Sequence, residues 1–305
     1  MKTPFQGRDI LSILDFSKKE ILQILETAEA LKKKPKSDLL KGKILASCFF
    51  EPSTRTRLSF ESAMLRLGGQ CLGFSDSNST SSQKGESLTD SIKVIGSYAD
   101  VIVMRHPMEG SARLAAEYTT TPVINAGDGA NQHPTQTLTD LLAIKQCQKT
   151  IDNLHVAIVG DLKYGRTAHS LAQALSYFKA RLYFICPEYL SLPEEILEHL
   201  KRNGIKFSFH RKISDVLSKC DILYLTRLQK ERLLPFEQEF GEELEKLTLP
   251  LLKEAKKNLK IFHPLPRREE LDSSLDSSPH AYYFEQAEWG VCARQALLAL
   301  ILGKQ

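Results

Sequence analysis

The segment Phe49-Phe50-Glu51-Pro52-Ser53-Thr54-Arg55-Thr56-Arg57 follows an apolar run and opens a helical pattern. The unpaired N–H groups and the macrodipole make a helix start positive, so each arginine there costs about 0.3–1 kcal/mol on its own. A bound phosphate reverses that sign, because amide N–H groups, hydroxyls and a guanidinium all converge on it. Plain capping by Ser53 explains the serine but leaves Arg55 and Arg57 unexplained. Anion binding at Ser53, Thr54, Arg55 and Thr56 is the expectation.

Other segments carry hydrogen-bonding groups at strand or helix ends. Asn125 to Gln136 is a glycine-bearing loop that runs into a helix, with Pro134 suited to the first helical position and His133 just before it. A capping histidine with a solvated ring is the ordinary alternative. In His263-Pro264-Leu265-Pro266-Arg267 two prolines fix the backbone and remove N–H donors, leaving carbonyls as acceptors, although a rigid turn needs no more than that. Arg166 and Arg227, with Gln229 nearby, follow apolar runs and can meet carboxylates in bidentate geometry. Either arginine alone reads as ordinary surface charge. The polar stretch Ser75 to Lys84 reads as a solvated loop from its composition. No Ser-His-Asp or Cys-His arrangement stands out, so chemistry through a covalent enzyme intermediate is not expected.

The elements that must hold these groups alternate. Ser17-Lys18-Lys19-Glu20 is a capping box opening a helix whose Ile21, Ile24, Leu25, Ala28 and Leu31 share one face. Strands are expected at 43–50, 101–104 and 123–125, and helices at 53–67, 87–97 and 134–149. The pattern restarts with strands at 155–159, 182–185, 206–209, 222–226 and 260–262, with helices between. Such alternation means parallel sheets covered on both faces. The expected fold is α/β, two doubly wound parallel-sheet domains with the active site in the cleft between them. The boundary is expected within or just after the 134–149 helix, with residues 1–149 forming the first domain and 150–285 the second, and a C-terminal helix, 286–305, packs back on the first. Ligands then bind outside the carboxyl ends of the strands, where the notable segments lie.

Bulk properties exclude several classes. The 305 residues suit two domains, and 42% hydrophobic with 26% charged residues describes a globular chain. A formal net charge of +4 without a long Lys/Arg run argues against nucleic acid as a partner and fits a cleft for small anions. No apolar stretch approaches a membrane span, and no signal-like segment follows the N-terminus. The six cysteines are scattered without a CxxC pair, and the histidines lack ligand spacing. A reducing, cytosolic setting with no metal and no membrane is expected.

Ser53-Thr54-Arg55-Thr56-Arg57 followed by Leu58-Ser59-Phe60-Glu61 resembles the carbamoyl-phosphate signature of the aspartate and ornithine carbamoyltransferases. The resemblance continues through Gly85-Glu86, Met104-Arg105-His106-Pro107, Asn125 to Asp140, Val159 to Thr167, Thr226 to Gln229 and His263 to Arg267. It implies transfer of the carbamoyl group of carbamoyl phosphate to an amino acid, without a cofactor. Carbamoyl phosphate would be held by Ser53, Thr54, Arg55, Thr56, Arg105, His133, Gln136, Pro264 and Leu265. Attack by an amine leaves negative charge on the carbamoyl oxygen, and donors placed in advance lower that barrier. Thr56, Arg105 and His133 would be those donors. Arg55 and Lys84 complete the implied catalytic set.

Within the family, His-Pro-Leu-Pro and Arg227-Leu228-Gln229 follow the aspartate pattern, because ornithine enzymes usually carry Cys where Pro264 stands. The resemblance therefore implies L-aspartate as acceptor, held by Arg166, Arg227, Gln229 and Lys84, in an early step of pyrimidine biosynthesis. Ornithine or another amino acid is the alternative acceptor. It also implies a homotrimer in which Ser81 and Lys84 enter the neighbouring subunit's site. Glu109, Arg113, Glu117, Lys163 and Glu237 match positions that contact regulatory chains, or link trimers, in larger complexes. A nicotinamide site is a poor competitor, since Gly160 and Gly165 are spaced G-x₄-G and Lys163 and Tyr164 crowd the turn.

Overall fold

The structure, a computed structural model, describes residues 4–229, 232–235 and 244–304. The chain divides into two compact units, Met1–Thr139 with Glu288–Gln305, and Asp140–Ala287.

In the first unit, α1 (Lys18–Lys33) starts at the predicted capping box: Ser17 Oγ accepts from Glu20 N–H (3.3 Å), and Glu20 accepts from Ser17 N–H (2.8 Å). It buries Ile21, Ile24, Leu25, Ala28 and Leu31, the predicted face. β1 (Ile44–Phe49), α2 (Thr54–Arg66), β2 (Gln70–Phe74), α3 (Leu88–Tyr98), β3 (Val101–His106), α4 (Ser111–Glu117) and β4 (Val123–Asp128) follow. The strands form a parallel sheet in the order β2-β1-β3-β4. The sequence reading omitted β2 and α4. β2 lies at the sheet edge with a largely exposed side-chain pattern, so it lacks the apolar run that marks a buried strand.

The second unit holds β5 (His155–Val159), α6 (Arg166–Leu175), β6 (Arg181–Ile185), α7 (Glu194–Arg202), β7 (Phe207–His210), β8 (Ile222–Leu225) and β9 (Lys260–Phe262). Its parallel sheet runs β7-β6-β5-β8-β9. β5, β6 and β8 are almost wholly apolar and buried, as strands covered on both faces must be. Both units thus have the doubly wound α/β architecture expected.

The division falls inside α5 (Pro134–Gln148). Asp140 accepts from Tyr224 Oη (2.9 Å) and Gln286 Nε2 (2.7 Å), and Gln148 Nε2 donates to the carbonyls of Asp221 and Asn258. Those bonds tie the later turns of α5 to the second unit. The last helix, α8 (Tyr283–Ile301), begins three residues before the expected position 286. Its later part belongs to the first unit, where Lys32 pairs with Glu288 (2.8 Å) and the Arg294 guanidinium lies 5.0 Å from the Phe60 ring centre. Among the described residues no helix is long and apolar enough to cross a membrane.

Candidate active site

In each sheet the winding direction reverses beside the first strand, between β1 and β3 in one and between β5 and β8 in the other. Loops diverge there and leave room for a ligand beyond the carboxyl ends.

At the first reversal, Ser53 occupies the N-cap of α2 in extended conformation, and its side chain makes no capping hydrogen bond. Capping, the ordinary reason for a serine at that position, therefore does not operate. Thr54 and Arg55 are exposed, Ser53 is half-buried and Thr56 is buried in the same turn. No acidic residue lies in this first turn. Arg57 Nε donates instead to Glu61 (2.8 Å), one turn along, so of the two arginines only Arg57 is engaged by its own helix.

Arg105 lies opposite Phe49 in the sheet, and its carbonyl accepts from Phe50 N–H (2.9 Å). This places its side chain beside the start of α2. Its Nε donates to Glu51 Oε2 at 2.8 Å, and both side chains are largely shielded from solvent.

His133, 4% exposed, precedes α5 beyond β4, and Gln136 lies half-buried in the first turn. A buried carboxylate shapes that loop. Asp128 Oδ1 accepts from Asn125 Nδ2 (2.8 Å) and Gln132 N–H (3.1 Å), while Oδ2 accepts from Gly110 N–H (2.8 Å) and Asn131 Nδ2 (3.0 Å). One side chain thus fixes the loops after β3 and β4 together. Ser81 and Lys84 are exposed in a short 3-10 turn, Ser81–Lys84, that follows β2.

In the second unit, Arg166 opens α6 and is 7% exposed, whereas Arg227 and Gln229 are half-buried just beyond β8. Thr226 N–H donates to Val159 O (2.8 Å), which brings the two strand ends side by side. Gly160 has φ 127°, and a Cβ there would lie 2.3 Å from Thr226 O, so only glycine permits this approach. Asp161 is fully buried, and its Oδ1 accepts from Tyr164 N–H (2.8 Å) and Lys163 N–H (3.1 Å). Burial pushes its carboxyl up, against the pull of the Tyr164, Gln229 and Lys163 N–H groups and of the Arg232 charge.

Pro264 and Leu265 follow β9, the neighbour of β8. Leu265 has φ 56°, a left-handed conformation that costs a bulky residue about 1–3 kcal/mol unless its surroundings enforce it. Leu265 N–H donates to His263 Nδ1 (2.8 Å), and His263 Nε2 meets Glu270 Oε1 (2.9 Å). Burial raises the Glu270 carboxyl, but the His263 side chain and the Arg268 N–H outweigh it and hold it below the usual range.

The structure thus groups Ser53 to Thr56 with Arg105 at one reversal, followed by His133 and Gln136. It groups Arg166, Arg227 and Gln229 at the other, with Pro264 and Leu265 next to them. Sequence reasoning missed Asp128 and Asp161, which are buried, and Glu270, which is half-buried; these acids brace the functional loops. A lone acid in a polar loop carries little signal, although Asp128 and Asp161 each stand directly beside a glycine at a strand end. Of the charged positions associated with larger complexes, Glu109 accepts from Ala130 N–H (3.2 Å), Arg113 lies 3.9 Å from Asp15, and Lys163 lies over the Tyr164 ring. Glu237 lies outside the described residues.

Two family models match the chain. Residues 8–146 match the aspartate/ornithine carbamoyltransferase carbamoyl-P binding domain, and residues 152–301 match the Asp/Orn binding domain. The chain is 54% identical to the aspartate carbamoyltransferase catalytic subunit of Chromobacterium violaceum, over 97% of this chain and 98% of that one. Identity to the Vibrio campbellii catalytic subunit is 55%, over 100% and 99%. Among solved structures, aspartate transcarbamoylase from Trypanosoma cruzi in complex with carbamoyl phosphate and aspartate superposes with a TM-score of 0.93 at 36% identity, covering 98% of each chain. The catalytic subunit of the M. jannaschii enzyme gives 0.87 at 50% identity, covering 95% and 96%.

Proposed function

The chain belongs to the aspartate/ornithine carbamoyltransferase family, and on that premise we propose that it transfers the carbamoyl group of carbamoyl phosphate to L-aspartate. The products are N-carbamoyl-L-aspartate and phosphate, an early step of pyrimidine biosynthesis. The observation that carries the reading is identity above half, over nearly the whole chain, to catalytic subunits of that activity.

The residues fit the chemistry. The start of α2, with Ser53 uncommitted to capping, holds the phosphate through Ser53, Thr54, Arg55, Thr56 and Arg105. His133, Thr56 and Arg105 donate to the carbamoyl oxygen as negative charge develops there, and Gln136 with the carbonyls of Pro264 and Leu265 engages the carbamoyl NH₂. Arg166, Arg227 and Gln229 hold the two carboxylates of aspartate, and Lys84 reaches both substrates. Aspartate's amine attacks the carbamoyl carbon, the C–O bond to phosphate breaks, and the departing phosphate accepts the amine proton. No covalent enzyme intermediate is needed.

The active assembly is a homotrimer in which Ser81 and Lys84 of one subunit complete the site of the next. Their exposure on a short turn supports this. Regulatory chains at the Glu109 to Glu117 face would place the trimer in a larger complex. The six free cysteines support a cytosolic setting.

Purified protein given carbamoyl phosphate and L-aspartate should form carbamoyl aspartate, and ornithine in place of aspartate should give no citrulline. Product with ornithine alone would move the chain to the other branch of the family.

A further inference from the structure

Between Pro264 and Pro266 the only backbone N–H belongs to Leu265, and His263 Nδ1 accepts it at 2.8 Å. Accepting there requires an unprotonated Nδ1, so the proton of the neutral ring sits on Nε2 and points to Glu270 Oε1, 2.9 Å away. His263 is 2% exposed. The His263 main-chain N–H donates to Gln286 Oε1 (2.9 Å), and Gln286 Nε2 donates to Asp140, which also accepts from Tyr224. The histidine is thereby held at its main chain and at both ring nitrogens.

We propose that His263 is a positioning residue that turns Pro264–Pro266 into a strip offering acceptors only. It takes up the one remaining N–H donor and holds Leu265 in its left-handed conformation, while Glu270 selects the tautomer that does so. A strip without donors favours a ligand group that brings N–H donors and disfavours an isosteric methyl. The carbamoyl NH₂ is then distinguished from the methyl of acetyl phosphate. The inference rests on the proposed function, in which Pro264 and Leu265 meet the carbamoyl group, and adds His263 as the residue that sets their hydrogen-bonding character.

Two substitutions separate the ring nitrogens. Asparagine keeps an acceptor for the N–H two residues on, as in an Asx turn, but loses the donor to Glu270. Glutamine extends far enough to donate to Glu270 but loses the local acceptor. His263→Asn should therefore be the less stable variant, because Glu270 loses a buried partner. His263→Gln should be the less active one, losing about 10²-fold in kcat with carbamoyl phosphate and aspartate. His263→Asn should lose about tenfold or less. Discrimination of carbamoyl phosphate from acetyl phosphate, read as a ratio of inhibition and Michaelis constants, should narrow about tenfold in His263→Gln.

Activity loss that follows the order of stability loss, or unchanged discrimination, overturns the inference. If neither variant folds, ¹⁵N spectra of histidine-labelled wild-type protein decide. His263 should show the Nε2–H tautomer, and an Nδ1–H tautomer refutes the assignment. A wild-type protein that forms no carbamoyl aspartate refutes the proposed function. One that forms it while the variants show the wrong order refutes the inference alone.

Discussion

Arg105 Nε donates to Glu51 Oε2 across 2.8 Å beside the start of α2, so a dianion arriving there must compete with a carboxylate for the same guanidinium. The pair lies at the point where β1 and β3 diverge, and the backbone bond from Phe50 N–H to Arg105 O keeps the two side chains together.

Removing the competitor should strengthen anion binding. Glu51→Gln retains the shape and an acceptor but loses the charge. A shielded surface pair is worth roughly 0.5–1 kcal/mol, so inorganic phosphate should bind about two- to fivefold more tightly. Titration calorimetry with phosphate checks this. Weaker binding by the variant would show that Glu51 supports the anion site.

The two groups of arginines should separate by substrate. Arg227→Ala removes a charge-assisted contact with a carboxylate and should raise KM for aspartate about 10–100-fold. Phosphate binding should change little. Arg55→Ala should impair carbamoyl phosphate binding, and His133→Ala should lower kcat about 10²–10³-fold with smaller effects on either KM. Steady-state kinetics with each substrate varied in turn, plus phosphate binding, distinguish the three. Loss of phosphate binding in Arg227→Ala would reverse the assignment of substrates to units.

Shared sites can be tested by mixing. Lys84→Ala and Arg55→Ala are each expected to be nearly inactive. Equal amounts dissociated and reassociated should give about three quarters mixed trimers, each with one site that pairs intact Arg55 with intact Lys84, so roughly a quarter of wild-type activity returns. If Lys84 serves its own subunit, every site carries a lesion and no activity returns once mixed trimers have formed.

Asp221 gives a pH signature. Burial raises its carboxyl, but Lys256, the His155 N–H and Asn258 outweigh that and hold it below the usual range. A depressed carboxyl stabilises the fold at any pH above its unfolded value, near 4, and that contribution is lost as pH falls through the folded value. Asp221→Asn should therefore lower the thermal midpoint at pH 7. Its further decline toward pH 3 should be shallower than that of the wild type. Parallel midpoint curves for the two proteins would assign the acid sensitivity elsewhere.

Much was legible locally. The capping box of α1, the apolar strands, the arginines at the start of α2 and the prolines around Leu265 are patterns written within a few residues of one another. Helix periodicity, caps and proline chemistry act over that same range. The family resemblance followed from several such patterns in order. What tertiary structure decided depends on residues far apart in the chain. Sheet order, with its reversals beside β1 and β5, is set by pairing between distant strands, and so is the neighbourhood of Arg105 and the start of α2. The edge strand β2 escaped notice because exposure, not hydrophobicity, marks it. The end of the first unit inside α5 was decided by Tyr224 and Gln286 meeting Asp140. Nor could sequence tell that Ser53 leaves its helix uncapped, that Glu51 takes Arg105, or that His263 takes the Leu265 N–H. Serine, glutamate and histidine each have several possible partners, and only the folded packing chooses one.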